Sequence, residues 1–475
     1  MGASESRFRA FVERLSDAVG HADRAVPLRA YCMGLMLPGD RKSVEPMAAR
    51  IEPGHVGAMH QAMHHFVANA PWSEAGVLAA VRAWALPSIE ARGAIRAWIV
   101  DDTGFPKKGK HSVGVARQYC GQLGKQDNCQ VAVSLSVAND AASLPIAFRL
   151  YLPEDWASDK ARRRRAGVPE DVRFRTKPEI ALEQIDAALS AGVARGAVLA
   201  DAAYGNDTEF RDQITARGLR YVVGVQSSIT VWPPGAAPLP PKRYGGTGRP
   251  PKLLRRDGKH QPVSAKALAM SLPAARYRAV AWREGSAGTL RSRFAAVRVR
   301  PAHRDTWRAT PRAEEWLLIE WPASESEPTK YFLSTEPAAT PIKRLVDLAK
   351  LRWRIERDYQ DLKQELGLGH YEGRGWRGFH HHAALSIAAY GFLVSERSPI
   401  PPSGARWRPK LPRRPKGLRP RGSPHQAGTP RPQFDRDTAL ADRRAAHRDA
   451  PAMSVLPPIH GNRRGGSTAP RFMTQ

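Results

Sequence analysis

Ala94-Ile95-Arg96-Ala97-Trp98-Ile99-Val100 runs almost wholly apolar and stops at Asp101-Asp102-Thr103-Gly104. A short run of this kind reads as a buried strand, and its abrupt end puts an acid at the strand's carboxyl end. The arrangement recurs downstream, where Ala197-Val198-Leu199-Ala200 ends at Asp201 and continues as Ala202-Ala203-Tyr204-Gly205-Asn206. A third acid, Glu356, lies in a helix-compatible stretch. At 100° per residue Glu356 falls about 40° and Lys363 about 20° from Arg352, so one stripe carries a carboxylate flanked by two cations. Leu348, Leu351, Ile355, Leu362 and Leu366 form an apolar stripe beside it that predicts docking on a core. Two carboxylates at strand ends and a third from a helix form an all-oxygen set suited to two hard divalent cations.

The rest of the chain is read outward from these acids. Val131, Val133, Leu135 and Val137 alternate with small residues and predict a half-buried strand, with Pro145 to Leu152 as its antiparallel partner. Thr176 with Glu179 predicts a capping box before a helix bearing Ile180, Leu182, Ile185 and Leu189. The Asp201 strand follows, then a short helix with Phe210 and Ile214 that ends at Gly218, then a strand from Tyr221 to Val225. Three strands, helix, strand, helix, strand is an α/β order. Residues 1–90 read as a helical domain, with Met59, Met63 and Phe66 at helical spacing and Ser73 as an N-cap before Val77, Val81 and Leu86.

From 226 to 340 the pattern changes. A Pro/Gly/basic segment from Trp232 to Pro262 is too poor in apolar residues for a core. Tyr277 to Arg283, Phe294 to Arg300, Trp316 to Glu320 and Tyr331 to Leu333 then read as strands of a β-rich insertion. Residues 341–395 bring the helix of Glu356. Residues 396–475 turn to Pro, Arg and Gly with scattered apolar positions, a composition that predicts a disordered basic tail, native or frameshifted.

Charge bounds the partner: 74 Lys+Arg against 45 Asp+Glu give +29. An excess of this size favours a polyanion bound in a salt-sensitive way, although a solvated Arg-rich surface is the plainer alternative. No run of about 18 apolar residues offers a membrane span, and no signal-like segment is expected at the start. Cys32, Cys120 and Cys129 lack metal-type spacing, which suits reduced thiols in a cytosolic compartment.

The order strand-Asp-x-Thr, strand-Asp-x-x-Tyr-Gly and Arg-x3-Glu-x6-Lys resembles the DDE transposases of bacterial insertion sequences. Within them it is similar to the cut-and-paste branch whose signature is Tyr-x2-Arg-x3-Glu-x6-Lys. The signature tyrosine's place is taken by Ala349, with Tyr359 on the same ideal helical face as Arg352. The resemblance spans residues 28 to 395 and includes Asp102-Thr103-Gly104-Phe105-Pro106-Lys107-Lys108-Gly109-Lys110, Tyr151-Leu152-Pro153-Glu154-Asp155-Trp156 and Gly367-Leu368-Gly369-His370-Tyr371-Glu372-Gly373-Arg374. It implies a ribonuclease-H-like catalytic core in 91–225, interrupted by the insertion of 226–340 and completed by 341–395.

It also implies the chemistry. Asp101 would bridge two Mg²⁺ ions, with Mn²⁺ able to substitute, while Asp201 and Glu356 each hold one; Asp102 is the alternative to Asp101. Arg352 and Lys363 would contact phosphates beside the scissile bond, against the plainer reading of an i,i+4 ion pair between Arg352 and Glu356. The implied partners are double-stranded DNA, as terminal inverted repeats and as target, and a second copy of the chain in a homodimeric DNA complex. The setting would be the bacterial cytoplasm, at the nucleoid. Residues 1–90 would pack on the core or bind transposon ends.

Other motifs leave their readings open. Lys107, Lys108 and Lys110 suit either DNA backbone contact or a solvated turn. Gly248-Arg249-Pro250-Pro251-Lys252 resembles the Gly-Arg-Pro core of minor-groove hooks, or is a Pro-rich linker. His380, His381 and His382 read as a DNA-facing or solvated cluster rather than a metal site. Trp156, Trp353 and Trp376 are core residues or stack on a flipped base. A catalytically inactive, transposase-derived DNA-binding protein and an unrelated metal-dependent nuclease are the competing functions.

Overall fold

The computed structural model describes residues 3–285 and 288–397, so the tail expected from 396 lies almost wholly outside the described residues. Five helices open the chain: α1 (Ala3–Val19), α2 (Ala25–Met36), α3 (Val44–Ile51), α4 (Val56–Ala68) and α5 (Glu74–Glu90). Met63 and Phe66 are buried as their spacing requires, and the Ser73 hydroxyl accepts the Gly76 amide at 3.1 Å to cap α5.

Next come β1 (Ala97–Pro106), β2 (Ala116–Cys120), β3 (Lys125–Ala138) and β4 (Ser143–Leu150), then the helices α6 (Glu154–Ser158), α7 (Lys160–Ala166) and α8 (Lys177–Ser190). The capping box of α8 forms as read, with Thr176 and Glu179 exchanging hydrogen bonds. β5 (Ala197–Ala200), α9 (Ala202–Gly205), α10 (Thr208–Ala216) and β6 (Tyr221–Val225) follow. These strands lie in the order β4-β3-β1-β5-β6; β3 runs antiparallel to both β1 and β4, and β5 parallel to both β1 and β6. β2, absent from the sequence reading, pairs with the start of β3. The expectation of a half-buried β3 does not hold: Cys129 through Ala138 are buried on both faces, because helices cover both sides of the sheet.

The next segment supplies β7 (Thr230–Trp232), β8 (Val263–Ser264), α11 (Ala265–Ser271), β9 (Arg278–Gly285), β10 (Gly288–Pro301), β11 (Glu315–Trp321) and β12 (Lys330–Ser334). It is β-rich as expected, and it continues the central sheet edge to edge: β12 pairs with β6 from Tyr331↔Val225 to Ser334↔Val222, and the order runs on as β12-β11-β10-β7-β8.

α12 (Ile342–Leu351), α13 (Trp353–Gln360), a π-helical turn (Asp361–Glu365) and α14 (Trp376–Arg397) complete the described chain. The single straight helix assumed for Arg352 to Lys363 is therefore corrected. The helix breaks at Arg352, and the Leu366 amide reaches back to the Asp361 carbonyl at 3.1 Å, an i→i+5 bond that widens the last turn. Ideal 100° spacing does not describe where Lys363 points.

The two sheet faces have different covers. Trp98 and Val100 belong to a core shared with α5, α8, α14 and the other N-terminal helices, whereas Ala97 and Ile99 pack with Leu345, Leu348, Leu351 and Ile355 of α12 and α13. Alternation along β1 thus assigns its odd positions near the acid to the α12–α13 side.

Candidate active site

That alternation separates the two acids of β1. Asp101 follows Ile99 to the α12–α13 side, where Arg352 Nη1 donates to its Oδ2 at 2.7 Å. Asp102 turns to the opposite side, taking the Lys177 ammonium at 3.0 Å and the Tyr204 hydroxyl at 3.3 Å on its Oδ2. Burial pushes the Asp101 carboxyl up to about 7; Arg352 opposes this, Asp201 and Asp102 reinforce it, and the Asp102 amide opposes it further. One guanidinium does not offset a buried carboxylate that has two other acids for neighbours.

Asp201 stands at the end of β5 and caps α9, its Oδ1 accepting the Ala203 amide at 2.9 Å and the Tyr204 amide at 3.4 Å. The motif residues after it each have a task. Tyr204 carries its hydroxyl to Asp102. Gly205 lets α9 lie directly on β6: a Cβ there would stand 1.9 Å from the Gly224 carbonyl oxygen. The acid end of β5 is thereby fixed against its neighbouring strand.

Arg352 also donates to Glu356 Oε1 at 2.8 Å, so a single guanidinium bridges Asp101 and Glu356. Burial works against its charge, yet Asp101 and then Glu356 outweigh it and raise its pKa. Asp201, Ala349, Arg352, Trp353 and Glu356 line one cleft of about 460 Å³, together with Trp282 and Arg283 of β9 and Lys330 of β12. Glu356 is 65 % exposed, whereas the Asp101 side chain is 15 % exposed. Among the described residues no three His, Cys, Asp or Glu side chains are gathered closely enough to hold a metal ion. Asp201 and Glu356 line the cleft, Arg352 joins Asp101 to Glu356, and the ready three-acid cage read from the sequence is not formed.

Lys363 also leans on β1, its ammonium donating to the Gly104 carbonyl at 2.7 Å and to Gln122 at 3.1 Å and lying 4.8 Å from the Phe105 ring centroid. Burial pulls its pKa down to about 8. Lys107 donates to the Tyr371 carbonyl at 2.9 Å, while Lys108 and Lys110 are exposed.

Residues 14–289 match the model of the DDE superfamily endonucleases. The chain belongs to that family. It is also 34 % identical over 169 residues to a probable transposase for insertion sequence element IS701 from Microchaete diplosiphon, an alignment covering 35 % of this chain and 41 % of the relative. The family match contains Asp101 and Asp201 and ends before Glu356, whose place at the site rests on the geometry.

Several readings shift on the structure of this DDE superfamily member. Tyr359 turns away from the cleft: it is buried and shares a 2.8 Å hydrogen bond with the Ser134 hydroxyl, while Ala349 lines the cleft. Of the three tryptophans, Trp156 and Trp376 are buried, and Trp353 lines the cleft with the Arg283 guanidinium 3.9 Å from its ring centroid. Lys177, which faces Asp102 from α8, left no sequence signal. Asp358 did: it falls within the apolar stripe of Ile355 and Leu362. It is buried, accepts Ser143 at 2.6 Å and Tyr390 at 2.8 Å, and anchors α13 to β4 and α14.

The three histidines are neither DNA-facing nor solvated. α14 is buried on nearly every face, so consecutive residues all point into packed surroundings. The Tyr31 hydroxyl donates to His382 Nδ1 at 2.9 Å, and His382 Nε2 donates to the Gly367 carbonyl at 3.1 Å, which satisfies a neutral ring. Burial pulls His381 and His382 down to about 4. A histidine held neutral in the fold binds its proton first in the unfolded chain, so its stabilisation is complete above the ordinary pKa of 6.5 and is lost as pH falls towards 4. Asp101 and Asp358, raised to about 7 and about 6, act in the opposite sense over part of this window. The readout is therefore a difference: His382→Gln should flatten the dependence of unfolding free energy on pH between 6.5 and 4 by close to one proton relative to the native chain. Parallel curves for the two proteins would mean that His382 is not held neutral.

Proposed function

We propose that this chain is an insertion-sequence transposase that cuts DNA at transposon ends and joins it to a target. The supporting observation is Arg352, which spans buried Asp101 of β1 and Glu356 of α13 and lines one cleft beside them with Asp201 and Glu356. The order β4-β3-β1-β5-β6, with three antiparallel strands and then two parallel to the first, supports a ribonuclease-H-like core in 91–225 and 341–395. Residues 226–340 then form an insertion grafted on its β6 edge, and residues 1–90 a helical layer.

The donor set fits hard divalent cations: every candidate ligand is a carboxylate oxygen, and Asp101 is a buried acid short of compensating charge. A pair of Mg²⁺ ions would activate the attacking water or hydroxyl and neutralise the leaving oxygen. Asp101, Asp201 and Glu356 would hold them. Arg352 and Lys363 lie against β1 at Asp101 and Gly104 and would supply the positive charge that holds a phosphate. Trp353 and Arg283 give the cleft wall an aromatic and a cationic surface. The +29 charge suits a DNA duplex, and a homodimer would bring two ends together.

Two observations favour a second reading, a DNA-binding descendant without cleavage: Arg352 occupies the space between two of the acids, and Ala349 stands at the signature tyrosine's place. The test is Mg²⁺-dependent nicking of a duplex carrying the inverted repeats that flank the gene. Nicking supports the transposase, and binding without nicking supports the descendant.

A further inference from the structure

The segment between β7 and β8 has a rigid foot and an open, wholly cationic tip. At the foot Leu239 and Arg255 exchange backbone hydrogen bonds of 2.9 and 3.0 Å. Buried Asp305 ties the adjoining chain down by accepting Trp232 Nε1 at 2.7 Å and the Arg256 guanidinium at 2.6 Å. From Pro240 to Arg255 the chain carries Lys242, Arg243, Arg249, Lys252 and Arg255 and no acid. Nearly every residue from 242 to 253 is exposed. Gly246 and Gly248 take positive φ of 89° and 79°, and the Tyr244 hydroxyl donates to the Gly248 carbonyl at 3.1 Å, which shapes the turn that presents Arg249. Two prolines follow Arg249 and bias its backbone to the extended form. The tip thus presents an exposed Arg249 at a bend, with two prolines after it and the Tyr244 hydroxyl on the glycine before it.

We propose that residues 240–255 are an arm that enters the minor groove of A·T-rich duplex DNA through Arg249. This rests on the reading of the chain as a DNA-acting protein and adds to it a groove and a base composition. A narrow A·T minor groove concentrates negative potential and accepts a slim extended arginine, whereas the exocyclic amino group of guanine blocks its floor.

The test measures binding of the full chain to three duplexes that differ in one tract of A·T, G·C or inosine·cytosine pairs. Inosine·cytosine keeps the minor-groove face of A·T while presenting the major-groove face of G·C. The native chain should bind the A·T and inosine·cytosine duplexes about tenfold more tightly than the G·C duplex, the scale of one or two unfavourable base pairs. Arg249→Ala should erase that preference, and Arg249→Lys should erase most of it while keeping the salt slope of the native chain. Inosine·cytosine behaving like G·C, or a preference surviving in Arg249→Ala, would overturn the arm alone. No salt-sensitive binding to any duplex would overturn the arm together with the DNA reading beneath it.

Discussion

Glu356→Gln is expected to lose strand cleavage by at least about 10²-fold while duplex binding stays near that of the native chain. A carboxamide is a poor ligand for a hard cation, and rate losses of this order follow when one preorganised electrostatic partner of a transition state is removed. Glu356 is 65 % exposed and its partner in the structure is Arg352, which keeps its 2.7 Å bond to Asp101 in the variant, so the fold should not suffer. Lys363→Ala, measured beside it, should fail differently. Loss of one phosphate contact weakens binding and lowers the slope of log affinity against log salt by about one unit. Full cleavage by the Gln variant would remove Glu356 from the reaction, and an unchanged slope for the Ala variant would remove Lys363 from phosphate binding.

The second large effect concerns how β11 is held to α12. Lys350 of α12 donates to both carboxylate oxygens of Glu320 on β11, at 2.7 and 2.6 Å, and its ammonium lies 4.4 Å from the Trp282 ring centroid. Both side chains are largely shielded, at 14 % and 6 % exposure, and burial pulls the Lys350 pKa down while Glu320 opposes the change. Glu320→Gln leaves a buried ammonium without its counter-charge and is expected to cost about 3–5 kcal/mol. Replacing both partners, Glu320→Leu with Lys350→Met, should recover most of that loss because no charge then remains buried. The check is the denaturant midpoint at unchanged slope. A shift in Glu320→Gln equivalent to less than about 1 kcal/mol, the scale of an exposed pair, would show that this pair does not join α12 to β11.

The elements that carry the acids were legible because each obeys a local rule. β1 and β5 are apolar runs closed by an acid, and the two-residue period of β1 separates Asp101 from Asp102 once the covers of the two faces are known. The capping box at Thr176 and the N-cap at Ser73 are local chemistry and form as read. What was not legible is tertiary. No glycine or proline marks the helix break between Leu351 and Trp353, and the π turn at Asp361–Glu365 has no composition of its own, so an ideal helix misplaced Lys363 and Tyr359. Arg352 lies against Asp101, 251 residues away, a partner that spacing within one helix cannot show. His380, His381 and His382 were misread for a related reason: a helix buried on nearly every face has no broad polar side, and periodicity is silent about it. The edge-to-edge joining of β12 to β6 likewise depends on a partner distant in sequence.

The central proposal is that Asp101, Asp201 and Glu356 share divalent ions. Cleavage of the polypeptide by hydroxyl radicals generated at bound Fe²⁺ tests this without requiring the complete transposition reaction, because radicals formed at the metal cut the backbone only nearby. The account predicts cuts clustered around residues 101, 201 and 356, suppressed together by excess Mg²⁺ and lost together in Asp101→Asn. Cuts confined to other segments, or a pattern that Mg²⁺ does not suppress, would contradict it.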